Sequence, residues 1–306
     1  LSKHVIKLNG EGARGAKASS ALLRDLLDVL VEATRSTIRL RAEGRSSVSG
    51  PDPDWLVEAA DFEILGFEAG STDVVCEARS VGDVAPDAFA QQNMFSAVDT
   101  SKSGLGLLEQ ALGDIQDRNL DSDLFDDKIL NTLCGFRKVF GHGIDSIGFD
   151  GDAGVKVVPD DIENYSELRR SIPRPERVRV AGLLDSLTAT RRAFQLKLSD
   201  GTTIRGRFEE DAREQFQELW NQQVLVTGQA EFKPSGFVRH IQAERIEPAT
   251  ERHQIWSEQP RASQTEFDTR EFRRSQEHKE GLAALVGQWP GDETDEQIDA
   301  ELRKLS

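Results

Sequence analysis

Cysteine is scarce in this chain: only Cys76 and Cys134 stand among its 306 residues. That excludes a disulfide scaffold and a Cys-rich metal site, and it makes a reducing, cytoplasmic setting the economical expectation. Positive charge is also short, with 38 Lys+Arg against 54 Asp+Glu and a formal net charge of −16. Proteins that grip nucleic-acid backbones in general do so by supplying positive charge, so the acidity argues against a general phosphate-backbone binder. A basic or protein-like partner suits the acidity better, although net charge bears on association and not on fold. No apolar run reaches the roughly 18 residues of a membrane-spanning helix, and the first residues lack the apolar stretch of a secretory signal. Hydrophobic residues make up 37% of the chain. That is lean enough to expect a linker or tail beside the cores.

Catalytic patterns are missing too. Gly10, Gly12 and Gly15 give a glycine echo without a strand–helix context or a Gly-Lys-Ser/Thr ending, so it is not a phosphate loop. There is no G-x-S-x-G elbow. The histidines His4, His142, His240, His253 and His278 are far apart, and none has a partner at metal-ligand spacing. Asp121, Asp123, Asp126 and Asp127 lack the central glycine and closing glutamate of a calcium loop and read as acids at a helix entry. Asp145, Asp150 and Asp152 beside His142 form the one weaker grouping with ligand chemistry. No catalytic residue, metal ligand or cofactor is assigned, and no enzyme activity is expected.

The acidity is unevenly spread. Residues 1–160 hold 16 basic and 27 acidic side chains, 176–250 hold 11 of each, and 251–306 hold 8 and 13. The expected organisation is α+β: a mixed α+β domain over 1–160, a connector over 161–175 marked by Pro173 and Pro175, and a β-barrel over 176–248. A flexible linker over 249–286 and a C-terminal recognition helix over 287–306 complete it. In the first domain, Leu22, Leu23, Leu26, Leu27, Leu30 and Val31 recur at helical spacing behind a Ser19 or Ser20 cap. Thr37 to Arg41 alternates and predicts a strand. Phe62–Phe67 and Asp73–Ala78 predict a hairpin, with Gly70-Ser71-Thr72 as its turn. Helices are expected at 86–98, 104–117 and 124–135, and short strands with glycine turns over 141–158.

The barrel is the clearest signal. Strands are expected at 178–184, 192–198, 202–208, 224–232 and 237–246, with a helix from Glu209 to Trp220 between the third and fourth. Three strands, a helix and two strands is the order of the OB-type barrel; an SH3-like barrel is the alternative. Arg191, Lys197, Arg205, Arg207 and Arg239 fall on these strands or their ends, near Phe194, Phe232 and Phe237. Basic residues beside aromatic platforms are what single-stranded nucleic acid requires. The competing reading makes the phenylalanines core and the arginines a solvent face, and the phase of Phe194 with Leu196 and Leu198 favours it.

Residues 249–286 are polar and scatter their few large apolar groups, so they cannot build a core. Beyond them, Trp289-Pro290-Gly291 supplies an aromatic anchor and a turn. Thr294 stands at a helix cap with Gln297 three residues on, and Ile298, Leu302 and Leu305 follow on one face. Such a short amphipathic helix is marginal alone and suits a partner's groove. The run from Trp289 to Leu302 resembles the C-terminal segment of bacterial antitoxins that neutralise PIN-domain ribonuclease toxins. The resemblance implies a toxin–antitoxin role in which Trp289, Pro290, Ile298 and Leu302 anchor on the toxin nuclease. It also implies that Arg303 and Lys304 reach the toxin's acidic site. The small DNA-binding dimerisation module common in such antitoxins is not found. The expected function is therefore an antitoxin-like protein in complex with its partner, with a nucleic-acid-binding adaptor as the alternative and no membrane partner.

Overall fold

A computed structural model describes residues 1–13, 15, 17–48, 50–68, 72–89, 98–151, 154–188 and 192–263. The chain divides into two units, Leu1–Ser263 and Gln264–Ser306; the expected recognition helix over 287–306 lies outside the described residues, as do most of the expected linker and the hairpin turn at 69–71.

The first part of the Leu1–Ser263 unit is an antiparallel sheet covered by helices. Strand β1 (Ser2–Gly10) occupies its centre, with β3 (Thr72–Ala78) and then β2 (Glu63–Glu68) on one side. On the other side lie β4 (Ile144–Phe149) and β5 (Lys156–Val157). β1 buries His4, Ile6 and Leu8 and turns Lys3 and Lys7 away, the period of a half-buried strand. Helix α1 (Ser20–Glu43) begins where Ser19 accepts a hydrogen bond from Leu22 N. Its Leu22, Leu26, Leu30 and Ala33 are fully buried in the main core with Ile6, Leu8 and Phe136. Each buried leucine contributes roughly 1.5–3 kcal/mol.

The expected strand over Thr37–Arg41 is instead the last part of α1. The alternation there coincides with a stretch buried on nearly every face, from Ser36 to Ala42, so period 2 carries no information. The helix stops only at Gly44, whose φ of 77° is left-handed and whose N–H caps Leu40 O at 2.8 Å.

Shorter helices follow: α2 (Asp54–Ala60), α3 (Val81–Val84), α4 (Pro86–Phe89), α5 (Gly104–Gln116), α6 (Asp127–Leu133) and α7 (Phe136–Phe140). Asp126 caps α6 by accepting from Ile129 N at 3.0 Å, as the acidic helix entry implied. Helix α8 (Asp161–Ser171) falls in the stretch read as a connector, yet its Ile162 and Tyr165 belong to the same core as α1.

A closed five-stranded barrel follows, with strand order β10-β8-β7-β6-β9. Its strands are β6 (Glu176–Thr188), β7 (Ala193–Lys197), β8 (Thr203–Phe208), β9 (Gln223–Phe232) and β10 (Val238–Pro248). All neighbours pair antiparallel except β8 and β10, which run parallel. Helix α9 (Arg213–Glu218) lies between β8 and β9. The inward phase read from sequence holds, since Phe194, Leu196 and Leu198 are all buried. Gly206 breaks the run of side chains on β8 because a Cβ there would meet the Phe194 ring and, at 2.8 Å, Ile241 O. Residues 249–263 are not a free linker. Ala262 N donates to Gly236 O, Arg261 stacks on Phe237 at 4.5 Å, and Arg179 lies 5.3 Å from the Trp256 ring. Among the described residues no helix is long and apolar enough to cross a membrane.

Candidate functional site

Strand β8 alternates Ile204, Gly206 and Phe208 inward with Arg205 and Arg207 outward, so the two arginines share one face of the barrel. That face meets the α+β part. Arg205 Nη1 lies 3.3 Å from Asp123 Oδ2, and Lys233 Nζ is 2.9 Å from the other oxygen of the same carboxylate. Lys233 also donates to Asp121 O at 2.8 Å, and Ser235 N to Leu120 O at 3.2 Å. Arg207 Nη1 donates to Glu43 O at 2.9 Å, placing a cation at the carbonyl end of α1, where the helix dipole favours it. The two arginines with the strongest place in a nucleic-acid reading thus tie the barrel to its neighbour. Replacing Asp123 by alanine leaves two part-buried cations facing each other, and should cost about 1–3 kcal/mol. Urea denaturation of the D123A variant checks this; an unchanged midpoint would mean that the ion pairs contribute nothing.

Beside this seam a cleft of about 600 Å³ opens between the end of α1, the chain leading into α2, and the barrel. Arg39, Arg45, Arg192 and Arg207 line it, against two carboxylates, Glu43 and Asp87, with Trp55 on its wall. Arg39 is buried and held by Asp52 at 3.0 Å. Arg45 and Arg192 are held loosely, at 3.8 Å from Glu43 and 3.7 Å from Glu209, both too long for a hydrogen bond. The Nε atoms of Arg39 and Arg45 are buried with no hydrogen-bond partner. Burial, reinforced by repulsion from Arg45, brings the Arg207 pKa down to about 10. A chain of net charge −16 thus gathers four guanidinium groups at one cavity, with Glu43 and Asp87 in the same lining.

The remaining sequence candidates are dispersed. Arg239 and His240 on β10 are buried beside this region, and Arg239 keeps both terminal nitrogens without a hydrogen-bond partner. Lys197 is exposed and lines a different cavity, with Gly182, Gln223 and His253. Arg191 lies outside the described residues, as do Trp289, Pro290, Ile298, Leu302, Arg303 and Lys304. Of the nucleic-acid candidates among the described residues, only Arg207 lines the cleft. Sequence reasoning missed Arg45, Arg192 and Trp55 and placed Arg39 on a strand. A usable signal was Arg39-Leu40-Arg41-Ala42-Glu43-Gly44-Arg45, a basic helix end closed by glycine and followed by prolines and a tryptophan.

A second polar constellation joins residues about a hundred positions apart. His4 Nε2 lies 2.7 Å from Ser103 Oγ, and His4 Nδ1 lies 3.1 Å from Glu109 Oε1. The connectivity is that of a nucleophile, a base and an orienting carboxylate. His4, Ser103 and Glu109 all line a cavity of about 650 Å³, together with Lys3, Lys102 and Asp150, but the serine hydroxyl is already engaged. Ser103 is 1% exposed, and its hydroxyl accepts from Gly106 N at 3.2 Å as the cap of α5. Each buried group finds a partner, so the network staples β1 to the start of α5. His142 pairs with Asp25 at 2.9 Å and Asp150 with Lys7 at 3.0 Å, so these members of the weak acidic grouping are not gathered around His142. Among the described residues no three His, Cys, Asp or Glu side chains are placed to hold a metal ion.

Comparison of the chain with protein-family models, with curated proteins and with solved structures finds no match.

Proposed function

We propose that the chain is an antitoxin-like interaction protein that holds and neutralises a partner toxin, of the PIN-type ribonuclease class, through its C-terminal segment. The observation that carries this reading is the sequence from Trp289 to Leu302, whose Thr294 and Gln297 cap pattern and Ile298 and Leu302 spacing resemble the C-terminal segment of such antitoxins. A capped amphipathic stretch of this length gains its stability from a groove that covers its apolar side. Trp289, Pro290, Ile298 and Leu302 supply the anchors, and Arg303 and Lys304 the charge that an acidic nuclease site would take. The product of the adjacent reading frame, co-expressed and pulled down with the full chain, should be retained. It should be lost when residues 287–306 are removed. Retention that ignores this truncation contradicts the proposal.

The barrel is read as OB-like. In its own numbering the order is 1-2-3-5-4 with the first strand returning to the fourth, the third and fifth strands are parallel, and the helix joins the third to the fourth. That topology favours a second reading, an adaptor for single-stranded nucleic acid. Such an adaptor would have to work with Arg205 occupied by Asp123 and Arg239 buried. A steep salt dependence of single-stranded RNA or DNA binding would support it, and a flat one would remove it.

A further inference from the structure

We infer that the arginine-lined cleft beside α1 is a binding site for a phosphate ester carrying a planar base, the chemistry of a nucleotide. Three features converge on this ligand, and none of them depends on what the C-terminal segment binds.

The first is the donor set. Arg39, Arg45, Arg192 and Arg207 come from different parts of the chain and line a single cavity. Guanidinium groups present fixed forks of N–H donors that match phosphate oxygens, and several of them suit a ligand with more than one negative charge. A lone carboxylate would leave most of this charge unused. The second is incomplete internal pairing. Arg45 and Arg192 reach their nearest carboxylates only at 3.8 and 3.7 Å. Arg39 and Arg45 each keep a buried Nε without an acceptor. These guanidinium groups are thus incompletely paired within the fold, and their terminal nitrogens keep donor capacity for an anion in the cavity they line. The third is shape. The cavity of about 600 Å³ falls within the range of small-ligand sites, and Trp55 is among the residues that line it. An indole side chain among guanidinium groups suits a flat, π-rich ring attached to a phosphate.

Arg207 links the site to the rest of the fold. Its Nη1 is hydrogen-bonded to Glu43 O at the end of α1, so it is held in place before any ligand arrives. Arg45 and Arg192 have side chains 34% and 39% exposed, so they can close on the ligand and be replaced without opening a core.

Calorimetric titration of the full chain with ATP, GTP, CTP and UTP, with the corresponding nucleosides, with inorganic phosphate, and with a short oligonucleotide bearing either a 5′-phosphate or a 5′-hydroxyl tests the inference. At least one nucleotide or the 5′-phosphorylated oligonucleotide should bind saturably, more tightly than inorganic phosphate and much more tightly than its unphosphorylated counterpart. Saturation by a mononucleotide assigns a free nucleotide. Saturation only by the oligonucleotide, lost with its 5′-hydroxyl form, assigns the end of a strand. Arg45→Ala and Arg192→Ala should each weaken binding about tenfold or more, the usual effect of losing a hydrogen bond to a charged group, with circular dichroism unchanged. Trp55→Ala should weaken the base-bearing ligand while leaving inorganic phosphate binding as it was. The inference is overturned if no phosphate-bearing ligand saturates at millimolar concentration, or if nucleosides bind as well as nucleotides. It is equally overturned if inorganic phosphate binds with no gain from the base, or if the folded Arg45→Ala/Arg192→Ala double variant binds like the wild type.

Discussion

Replacing Phe216 by alanine should remove about 3–5 kcal/mol of stability, enough to unfold a barrel of ordinary strength. Phe216 is the one buried residue of α9 and is completely inaccessible. It stacks on Phe208 with ring centroids 4.4 Å apart and an interplanar angle of 13°. It also meets Phe194 at 4.9 Å and 38°. The short helix is therefore fixed to the barrel chiefly through this side chain, with Ala212 and Leu219 at its ends packing beside it, and truncating it leaves a cavity between two aromatic rings. Urea denaturation followed by far-ultraviolet circular dichroism measures the loss. A change below about 1 kcal/mol would mean that the ring cluster does not hold the barrel closed.

The second large effect is a dependence on pH carried by His240. This residue is 6% exposed, and its Nδ1 has no hydrogen-bond partner. The nearest carboxylate oxygen, on Glu231, is 3.7 Å away. Burial, together with Arg239, Arg207 and Arg45, pushes its pKa down to about 3. In the unfolded chain an imidazole takes up its proton near pH 6.5. Between these values the unfolded state binds more protons than the folded one, so stability falls as the pH drops below about 6.5. For one proton the slope approaches about 1.4 kcal/mol per pH unit. His240→Gln removes this contribution, while Glu231 and the surrounding arginines remain in both proteins. Between pH 6.5 and 4.5 the wild type should lose roughly 2 kcal/mol more than the variant. Parallel stability curves would show that His240 accepts its proton in the folded state and is not shielded as described.

The barrel was legible in the sequence because β7 and β8 keep a regular alternation of buried and outward residues. Phe194, Leu196 and Leu198 alternate with outward residues, and the hairpin at Asp200-Gly201 is sealed by a bond from Thr202 N to Asp200 at 2.7 Å. The same test failed over Thr37–Arg41, where burial from many sides erases the difference between one period and another. It gave no strand over Ser2–Gly10, where the inward positions include His4 and the outward ones are lysines. The pairing of Arg205 and Arg207 on one face could also be read locally. What they face could not, since Asp123 lies 82 residues from Arg205 and Glu43 lies 164 from Arg207. The cleft was hidden for the same reason. Its charge comes from the end of a helix whose last turns were read as a strand, and from two barrel residues remote in sequence, inside a chain whose overall charge is strongly negative.

The central proposal, neutralisation of a partner nuclease through the C-terminal segment, is tested most directly by the ribonuclease activity of the adjacent gene's product. The assay is made with increasing amounts of the full chain and of the full chain carrying Trp289→Ala and Ile298→Asp. The wild-type chain should suppress the activity near equimolar ratio, and the doubly substituted chain should leave it largely intact at the same ratio. Equal suppression by both chains, or none by either, would contradict the account.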